Sequence, residues 1–328
     1  APPRPQGLQQ RFQPPRALRM HRPVLVLEHS DIGHDQDALT HVPSLPYPLS
    51  MPVDLTGRVI IITGAAGGFG RLVAQKTASL GASVVASDVN EAELEATCAS
   101  ISAEGGTALA VPADVTSRAD MKALAGQAVA RFGAIDVMVN NAGVMPLAFY
   151  ADHAEAAEAW DRCIDINLKG VLHGIAAVYD TMIEQGRGHI VNISSIYGNY
   201  PVAGAAVYGA TKAAVNVLSE SLRQESQGKI KVTTIRPTGV PATGLGGGIV
   251  NPAAVRGILG QNEASFMETL GQLLGENPPA ALTDPEQIGY YALSPELLAD
   301  QIVYAIDQPW GVSISDLTVR ASGDVYVI

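Results

Sequence analysis

From residue 58 onward the chain alternates short apolar runs, rich in β-branched residues, with longer stretches of helical periodicity. Apolar runs of this kind, bounded by Gly, Pro or Asp, predict buried strands, and the stretches between them predict helices. Strands are predicted at residues 58–63, 83–87, 108–112, 135–139, 189–194, 231–235 and 313–319. Helices are predicted at residues 68–80, 91–103, 118–132, 160–185 with a break near Asp165, 206–227 and 295–306.

This alternation predicts an α/β fold. A Rossmann-like, doubly wound parallel sheet of about seven strands is expected, because right-handed crossovers place helices on both of its faces. One stretch interrupts the pattern, since residues 238–285 are rich in Gly and Pro and show a single helical patch near residues 263–274. A connection of that length inside a compact domain is usually functional, so we predict a lid inserted after strand 6.

The first fifty residues show no helical or strand period, and they carry nine of the 21 prolines and four of the seven histidines. We interpret residues 1–50 as a flexible extension and residues 51–328 as a single domain. The spacing of the four histidines fits no metal-ligand motif, so solvated loop positions are favoured over a metal site. These histidines are His21, His29, His34 and His41.

Composition narrows the class of protein. The chain is 47% hydrophobic and 16% charged, which suits a packed α/β core, and its net charge of −11 argues against a protein that tracks nucleic-acid phosphates. No apolar run approaches the ~20 residues of a membrane span. Cys98 and Cys163 lie far apart and form no metal or redox motif. They are expected to be core thiols of a reduced, cytoplasmic protein.

Strand 1 runs into the glycine-rich turn Thr63-Gly-Ala-Ala-Gly-Gly-Phe-Gly70, which precedes a helix. Such a turn lets the backbone approach a pyrophosphate, and the helix N-terminus offers free N–H groups and a positive dipole end. The alternative is a packing turn without a ligand. Further along, Asp114 after strand 3 is placed to meet an adenine amino group. The small residues at 140–143, after strand 4, let the chain pass close to the same nucleotide.

Asp88 ends strand 2, about twenty residues beyond the turn, where a carboxylate can accept hydrogen bonds from both adenosine ribose hydroxyls. The same carboxylate would repel a 2′-phosphate, and neither Gly67 nor Val89 supplies a compensating cation. These residues predict NAD rather than NADP as the cofactor. A helix N-cap is a second role for Asp88, which does not exclude the first.

Ser195, Tyr208 and Lys212 supply a hydroxyl, a phenol and a cation. Lys212 stands at i+4 from Tyr208, on the same helix face. Its charge and that of NAD⁺ favour the phenolate, so we expect a lowered pKa for a tyrosine that is otherwise a poor base at neutral pH. Ser195 follows strand 5, and strand alternation places Ser194 on the other side. Taken alone, the Tyr–Lys pair also fits an exposed tyrosine beside a solvated lysine.

These motifs together resemble the short-chain dehydrogenase/reductase family, whose TGxxxGxG and YxxxK patterns occur here in family order from about Leu55 to the C-terminus. The resemblance implies that Tyr208 is the general acid/base, that Lys212 is its partner and a ribose ligand, and that Ser195 holds the carbonyl oxygen. It also implies that Asn167 kinks its helix and supports a proton-relay water. Residues 165–170 and 310–320 are similar to bacterial reductases of hydroxy acids and of small alcohols or ketones.

The resemblance also implies a set of NAD-binding residues and shows one departure. The family usually has Pro-Gly after strand 6, whereas this chain has Pro237-Thr-Gly-Val240, which leaves the nicotinamide contacts and lid geometry open at Thr238. Thr243 is expected to replace a hydroxyl usually found one residue earlier. The full cofactor set is Gly64, Gly68, Phe69, Gly70, Asp88, Val89, Asp114, Val115, Asn141, Ala142, Gly143, Tyr208, Lys212, Pro237, Gly239 and Val240.

The side chains expected to shape the substrate site are mostly apolar or aromatic, with no Lys or Arg among them. We therefore predict a neutral, fairly hydrophobic alcohol or ketone rather than a small acid. Each of these side chains also fits a role in core packing alone. They are Met145, Ile196, Tyr197, Tyr200 and Val202, together with Val144, Pro146 and the lid.

The leading hypothesis is an oxidoreductase that transfers a hydride between NAD(H) and a secondary alcohol or ketone. An epimerase or dehydratase on the same scaffold is the first alternative. A non-catalytic nucleotide-sensing module is the second, although such a module does not need Ser195, Tyr208 and Lys212 together. In the family, long helices such as those at 168–185 and 208–227 pack across subunits, which implies a homotetramer or homodimer.

Overall fold

The computed structural model describes residues 53–241 and 243–326; the predicted extension at 1–50, with its four histidines, lies outside them. One seven-stranded parallel sheet runs in the order β3-β2-β1-β4-β5-β6-β7. This confirms the predicted doubly wound fold. The strand order reverses between β1 and β4, and such folds bind ligands beside the carboxyl ends of the strands at that point. The strands are β1 (Val59–Thr63), β2 (Ser83–Asp88), β3 (Thr107–Pro112), β4 (Val137–Asn140), β5 (Gly188–Ile193), β6 (Ile230–Pro237) and β7 (Asp316–Val319).

Helices cover both faces of the sheet. They are α1 (Gly68–Ser79), α2 (Glu91–Ala103), α3 (Arg118–Phe132), α4 (His153–Ile164), α5 (Val171–Glu184), α6 (Ala206–Glu225), α7 (Ala254–Leu259), α8 (Glu263–Leu273), α9 (Ala280–Thr283) and α10 (Pro295–Asp307). Helices α1, α2 and α10 share one apolar core with the sheet, and α3, α5 and α6 share a second. In the part of the chain that is described, no helix is long and apolar enough to cross a bilayer.

Strand β1 shows why the sequences of the buried strands are unbroken runs of apolar residues. Ile60 and Ile62 are buried in the core under α1 and α10, whereas Ile61 is buried in the core under α3 and α5. Successive side chains point to opposite faces of a sheet, and both faces of this sheet are covered. A strand in that position needs an apolar residue at every place.

The helix predicted at 160–185 differs from the structure in two respects. Helix α4 begins earlier, at His153, after a turn in which the Phe149 N–H donates to the Asp152 carboxylate over 2.8 Å. The predicted break near Asp165 is present, but it takes the form of a π-helical segment, Asp165–Gly170, which interrupts the α-helical pattern between α4 and α5 without the chain leaving the helix. A π turn adds one residue to the turn and widens it locally.

Two strand boundaries and the insertion also differ from the sequence prediction. Strand β4 begins only at Val137, because the Asp136 carboxylate accepts from the Val59 N–H over 2.9 Å and pairs with Arg187 over 3.2 Å. Strand β7 begins at Asp316 instead of residue 313. In the insertion, α8 confirms the predicted helical patch. Helices α7 and α9 were not predicted, since they are too short to show a period.

We expect Gly174→Ala to destabilise the fold by about 1–3 kcal/mol, as overpacking of a core does. A Cβ at Gly174 of α5 would overlap the side-chain oxygen of buried Asn140, whose amide nitrogen donates to Asn192 over 2.8 Å. The matched control is Gly126→Ala in α3, where no atom lies within 4 Å of the new Cβ. Helix propensity makes the control about 0.5–1 kcal/mol more stable. Urea unfolding of both variants measures the difference in their free energies of unfolding. Equal changes in the two variants would contradict the close packing of Gly174 against Asn140.

Candidate active site

The glycine-rich turn joins β1 to α1 at the carboxyl edge of the sheet. Gly64 and Gly68 have φ values of 69° and 50°, a region that side chains rarely adopt. A Cβ on Gly70 would overlap the Gly64 carbonyl oxygen. Phe69 packs partly buried against the core below, and no described side chain caps the N-terminus of α1. Because the backbone segments of this turn pack closely together and the N–H groups at the start of α1 are uncapped, the turn has the features of a pyrophosphate-binding site.

Asp88 lies beside that turn, at the end of β2. Its carboxylate accepts from the Ala66 N–H over 3.1 Å and from the Asn90 N–H over 3.0 Å. Asn90, not Asp88, caps α2, because the Asn90 side chain accepts from Glu93 N–H. The suggested N-cap role of Asp88 was therefore wrong. Val89 is 62% exposed next to it. The carboxylate is thus held against the turn, where an adenosine ribose would lie.

The turn after β3 contains the other residues expected near the adenine. Asp114 uses one carboxylate oxygen to accept from the Thr116 N–H over 2.8 Å, which shapes its own turn. Val115 is buried, and its side chain fills the space above Gly170, where a Cβ would come within 2.7 Å of it. Asp114 is exposed at the edge of the site, and Val115 anchors this turn to the π segment.

The end of β4 is tied to the end of β1. Asn141 donates from its side chain to the Thr63 carbonyl over 2.8 Å. The Thr63 hydroxyl accepts from the N–H groups of Asn141 and Ala142 over 3.1 and 3.2 Å. A Cβ on Gly143 would lie 3.2 Å from the Asn167 side-chain oxygen and 3.6 Å from the Lys212 Nζ. The small residues therefore bring this turn directly against the proposed catalytic groups.

Asn167 is fully buried in the π segment, and its side chain joins that segment to the turn after β4. Its oxygen accepts from the Val144 N–H over 2.9 Å, and its amide donates to the Val144 carbonyl over 2.8 Å. Further contacts join the amide to Cys163 Sγ and Thr211 Oγ1, each at 3.3 Å. Asn167 thus fixes the β4 turn and the π segment to each other. The relay water implied by the family resemblance stays a prediction.

Ser195, Tyr208 and Lys212 come together where β5 meets α6. Ser195 Oγ accepts from the Tyr197 N–H over 3.2 Å and lies close enough to the Tyr208 phenol to act on its pKa. Tyr208 and Lys212, one helical turn apart, are each only 4% exposed. The Lys212 Nζ donates to the Ile193 carbonyl over 2.8 Å and lies 5.8 Å from the centroid of the Tyr208 ring.

The neighbouring serine is used differently. Ser194 Oγ makes hydrogen bonds with the Lys212 carbonyl over 3.1 Å and with the Asn216 side chain over 2.7 Å, so it ties β5 to α6. The expectation that strand alternation separates the two serines is met, since only Ser195 faces the phenol.

Burial dominates the proton affinities of the two titratable groups. It raises the pKa of Tyr208 to about 12, although the hydrogen bond with Ser195 acts in the lowering direction. Burial also lowers the pKa of Lys212 to about 8. The effect expected of NAD⁺ stays a prediction, whereas the expectation that Lys212 brings the pKa of Tyr208 below its usual value was wrong. The reason is that desolvation disfavours the phenolate, while the Lys212 charge lies over the ring face and is directed at a carbonyl.

The residues expected to line the substrate site mostly share one apolar cluster with Tyr208. Ile196 and Tyr197 are buried in it, and Met145, Val202 and Val144 pack partly buried against it. Tyr200 is the exception, because it is 58% exposed. It lines a surface groove of about 230 Å³ between the end of β5 and the start of α6. The groove includes Tyr197 and Gly209 but not Ser195 or Tyr208.

The end of β6 reveals residues that the sequence did not indicate. The Thr238 N–H donates to the Val319 carbonyl over 3.1 Å, and the Thr238 hydroxyl donates to the Asp324 carboxylate over 2.8 Å. A Cβ on Gly239 would overlap the ring of Tyr326. Thr238 therefore anchors a segment after β7, and this segment covers the place where the nicotinamide contacts were expected. Its acidic and aromatic residues follow no motif that would have marked them.

The rest of the β6 turn reaches the glycine-rich turn. Pro237 pairs with Val319 as the last residue of β6, and Val240 packs partly buried against the first core. The Thr243 hydroxyl donates to the Val240 carbonyl over 3.4 Å. A Cβ on Gly68 would lie 3.0 Å from the Thr243 carbonyl oxygen. The insertion thus begins directly over the proposed pyrophosphate site.

Known proteins resemble this chain in sequence and in fold. The sequence model of the short chain dehydrogenase family matches residues 58–251. An oxidoreductase of Listeria monocytogenes is 36% identical over 266 residues, covering 81% of this chain and 96% of the relative. The structure of 7α-hydroxysteroid dehydrogenase with NADH and 7-oxo glycochenodeoxycholic acid has a TM-score of 0.66 at 26% identity, covering 84% of this chain and 97% of that chain. A metagenomic short-chain oxidoreductase with NADP has a TM-score of 0.61 at 30% identity, covering 81% and 97%.

The seven-stranded parallel sheet and the similarity to these proteins define an α/β oxidoreductase. The chain belongs to the short-chain dehydrogenase/reductase family.

Proposed function

We propose that the protein is an NAD-dependent alcohol dehydrogenase and ketone reductase in which Tyr208 is the general acid and base. One observation carries the proposal: Ser195, Tyr208 and Lys212 are buried side by side at the carboxyl edge of the sheet, next to Gly143. A hydroxyl, a phenol and an ammonium group gathered out of water are what a coupled proton and hydride transfer requires.

The proposed step moves one proton and one hydride. When bound, the oxidised nucleotide would accept the hydride that leaves the carbinol carbon. The Tyr208 phenolate takes the hydroxyl proton, so a ketone, a reduced nucleotide and a neutral phenol are formed. Ser195 holds the substrate oxygen, and the Lys212 protons not donated to Ile193 hold the ribose. In ketone reduction the neutral Tyr208 phenol returns its proton to the oxygen.

The preference for NAD rests on Asp88, whose carboxylate is fixed beside the glycine-rich turn by the N–H groups of Ala66 and Asn90. A 2′-phosphate at this place would meet that negative charge. Arg71 lies close by, but its guanidinium pairs with Glu93 over 2.6 Å and donates to Thr97 over 3.0 Å. The cation nearby is therefore already engaged, which supports NAD over NADP.

We expect Asp88→Ala to raise the KM for NAD by about 10- to 100-fold, the range for losing hydrogen bonds to a charged group. The KM for NADP should fall or stay constant, because the repulsion is removed. Steady-state kinetics with both nucleotides check this. Glu95→Ala, an exposed change on α2, is the control and should alter neither constant. An unchanged ratio of the two KM values in Asp88→Ala would contradict the assigned cofactor.

Three further features support finer proposals. The insertion at 238–285 is proposed as a lid, because its first residues lie over Gly68. A homotetramer or homodimer is proposed, since Leu172 on α5 and Val217 on α6 are exposed and apolar, and light scattering after gel filtration tests it. A cytoplasmic location is proposed because Cys98 and Cys163 are both buried free thiols.

A panel of neutral alcohols and ketones, each assayed with NAD(H) and NADP(H), tests the proposed function. Turnover of neutral substrates with NAD(H) as the better nucleotide is the expected result. A protein that binds NAD but reduces or oxidises no member of the panel would overturn the proposal.

A further inference from the structure

The hydroxyl of Tyr197 is buried without a hydrogen-bond partner in the described part of the chain, and the residue is only 7% exposed. Burying a hydroxyl without a hydrogen-bond partner is unfavourable in free energy unless a ligand or a water molecule supplies that partner. Tyr197 is positioned by the turn after β5, where its own N–H donates to Ser195 Oγ over 3.2 Å. The unpartnered Tyr197 hydroxyl therefore belongs to the same turn as Ser195, which is proposed to hold the carbonyl oxygen.

Tyr197 shares its apolar cluster with Tyr208 and with Tyr326 of the segment after β7. Burial raises the pKa of the Tyr197 phenol, and the fields of Tyr326, Tyr208 and Asp324 act in the same direction. The Tyr197 hydroxyl thus stays neutral and keeps a proton to donate. It also lies close enough to the catalytic phenol and to the segment after β7 for their charges to act on it.

The segment after β7 is fixed in place opposite Tyr197. The Asp324 carboxylate accepts from the Thr238 hydroxyl over 2.8 Å and pairs with Arg320. The Tyr326 ring packs against Gly239, where it excludes any side chain. On its other side, the Tyr326 ring lies 6.0 Å from Phe266 of α8, measured between ring centroids. The wall facing Tyr197 is thus built from the lid and this segment together.

The charged residues at this wall determine which kind of group can accept a hydrogen bond from the Tyr197 hydroxyl. Asp324 is negative, its side chain is 1% exposed, and the cation beside it, Arg320, is already paired with it. Among the described residues of this wall, a substrate carboxylate would therefore find no unpaired cation to compensate its own charge. A neutral oxygen acceptor, by contrast, would satisfy the Tyr197 hydroxyl at no electrostatic cost.

We propose that the Tyr197 hydroxyl is a second binding point for a neutral oxygen on the substrate, so that the preferred substrates are ketones carrying a second hydroxyl or carbonyl group, which are reduced to diols or hydroxyketones respectively. The inference rests on the proposed function, since it names the substrate class of the same site. Tyr197 would be a specificity-determining residue that touches the substrate but takes no part in proton transfer.

Matched pairs of ketones test the inference. Acetoin is paired with methyl isopropyl ketone, and phenacyl alcohol with propiophenone, so that a methyl group replaces the hydroxyl in each pair. The wild type should favour the hydroxyketone by about tenfold or more in kcat/KM, as expected when a buried donor loses its partner. Benzoylformate, which is an anion, should be the poorest substrate. Tyr197→Phe should bring each ratio close to one by slowing only the hydroxyketone.

The outcomes separate the inference from the proposed function. Both ketones of a pair are measured on one preparation, so partial unfolding of Tyr197→Phe cancels in the ratio. Tyr304→Phe, on the exposed surface of α10, should keep the wild-type ratio. Turnover without a preference, or an equal loss on both ketones in Tyr197→Phe, would overturn the inference alone. If no ketone or alcohol is turned over with either nucleotide, the proposed function fails and the inference fails with it.

Discussion

Tyr208→Phe lowers kcat in both directions by about 10²- to 10⁴-fold, the usual contribution of a positioned acid or base. The substitution removes one oxygen and leaves the ring in its apolar cluster, so thermal stability should change little and nucleotide affinity should fall far less than kcat. Rates with NAD(H), nucleotide affinity from fluorescence titration and the melting temperature are the measurements. Tyr150→Phe is the control, because Tyr150 is an exposed tyrosine outside the site. Turnover within a factor of a few of the wild type would refute the assigned role.

The pH dependence of the wild type follows from the same phenol. Burial raises the pKa of Tyr208 to about 12, so the phenol keeps its proton at neutral pH and is ready to donate it to a ketone. Alcohol oxidation needs the phenolate, so its rate should rise with pH, by up to about tenfold per unit below the pKa of the nucleotide-bound enzyme. Ketone reduction should not rise over that range. Tyr208→Phe should abolish the difference between the two profiles.

Lys212→Met should lower kcat by about 10²- to 10³-fold, the range for removing one preorganised electrostatic group. The substitution deletes a buried ammonium group that donates to the Ile193 carbonyl over 2.8 Å, and it also removes the proposed ribose ligand. The KM for NAD should therefore rise together with the fall in kcat. Lys212→Arg should not restore activity, because a planar guanidinium does not replace a compact ammonium group in a closed site.

The chain contains a matched control for this variant. Lys231 is also buried, burial lowers its pKa to about 8 as well, and its Nζ donates to the Gln308 carbonyl over 2.9 Å. It lies at the start of β6, away from the catalytic edge. Lys231→Met should cost stability and leave the KM for NAD unchanged. If both variants behave alike in kinetics, the role of Lys212 is structural and not catalytic.

The fold was predictable from sequence because the strands are buried on both faces. Residues such as Ile60, Ile61 and Ile62 then form apolar runs that alternate with helical periods. The start of α4 was missed because it begins among alanines and acidic residues, with only Ala156 and Cys163 buried along it. The π segment could not be predicted from periodicity, since it depends on the contacts of the Asn167 side chain with Val144.

The site was predictable where local sequence determines it. The glycine turn, Asp88 and the Ser195–Tyr208–Lys212 group lie within elements whose ends meet at one edge of a parallel sheet. The direction of the Tyr208 pKa shift was not predictable from the sequence, because desolvation depends on how the site is packed. Asp324 and Tyr326 were missed for a related reason. They reach the site only through the pairing of β7 with β6 and the contact with Thr238.

Net hydride transfer with Tyr208 as acid and base requires a fixed stoichiometry between reduced nucleotide and ketone, and that stoichiometry can be measured. The protein is incubated with NAD and a neutral secondary alcohol, and NADH absorbance and ketone are quantified together. We expect one NADH for each ketone formed, with both lost in Tyr208→Phe. Conversion of a substrate without net NADH, as an epimerase or dehydratase would give, or NAD binding with no conversion, would contradict it.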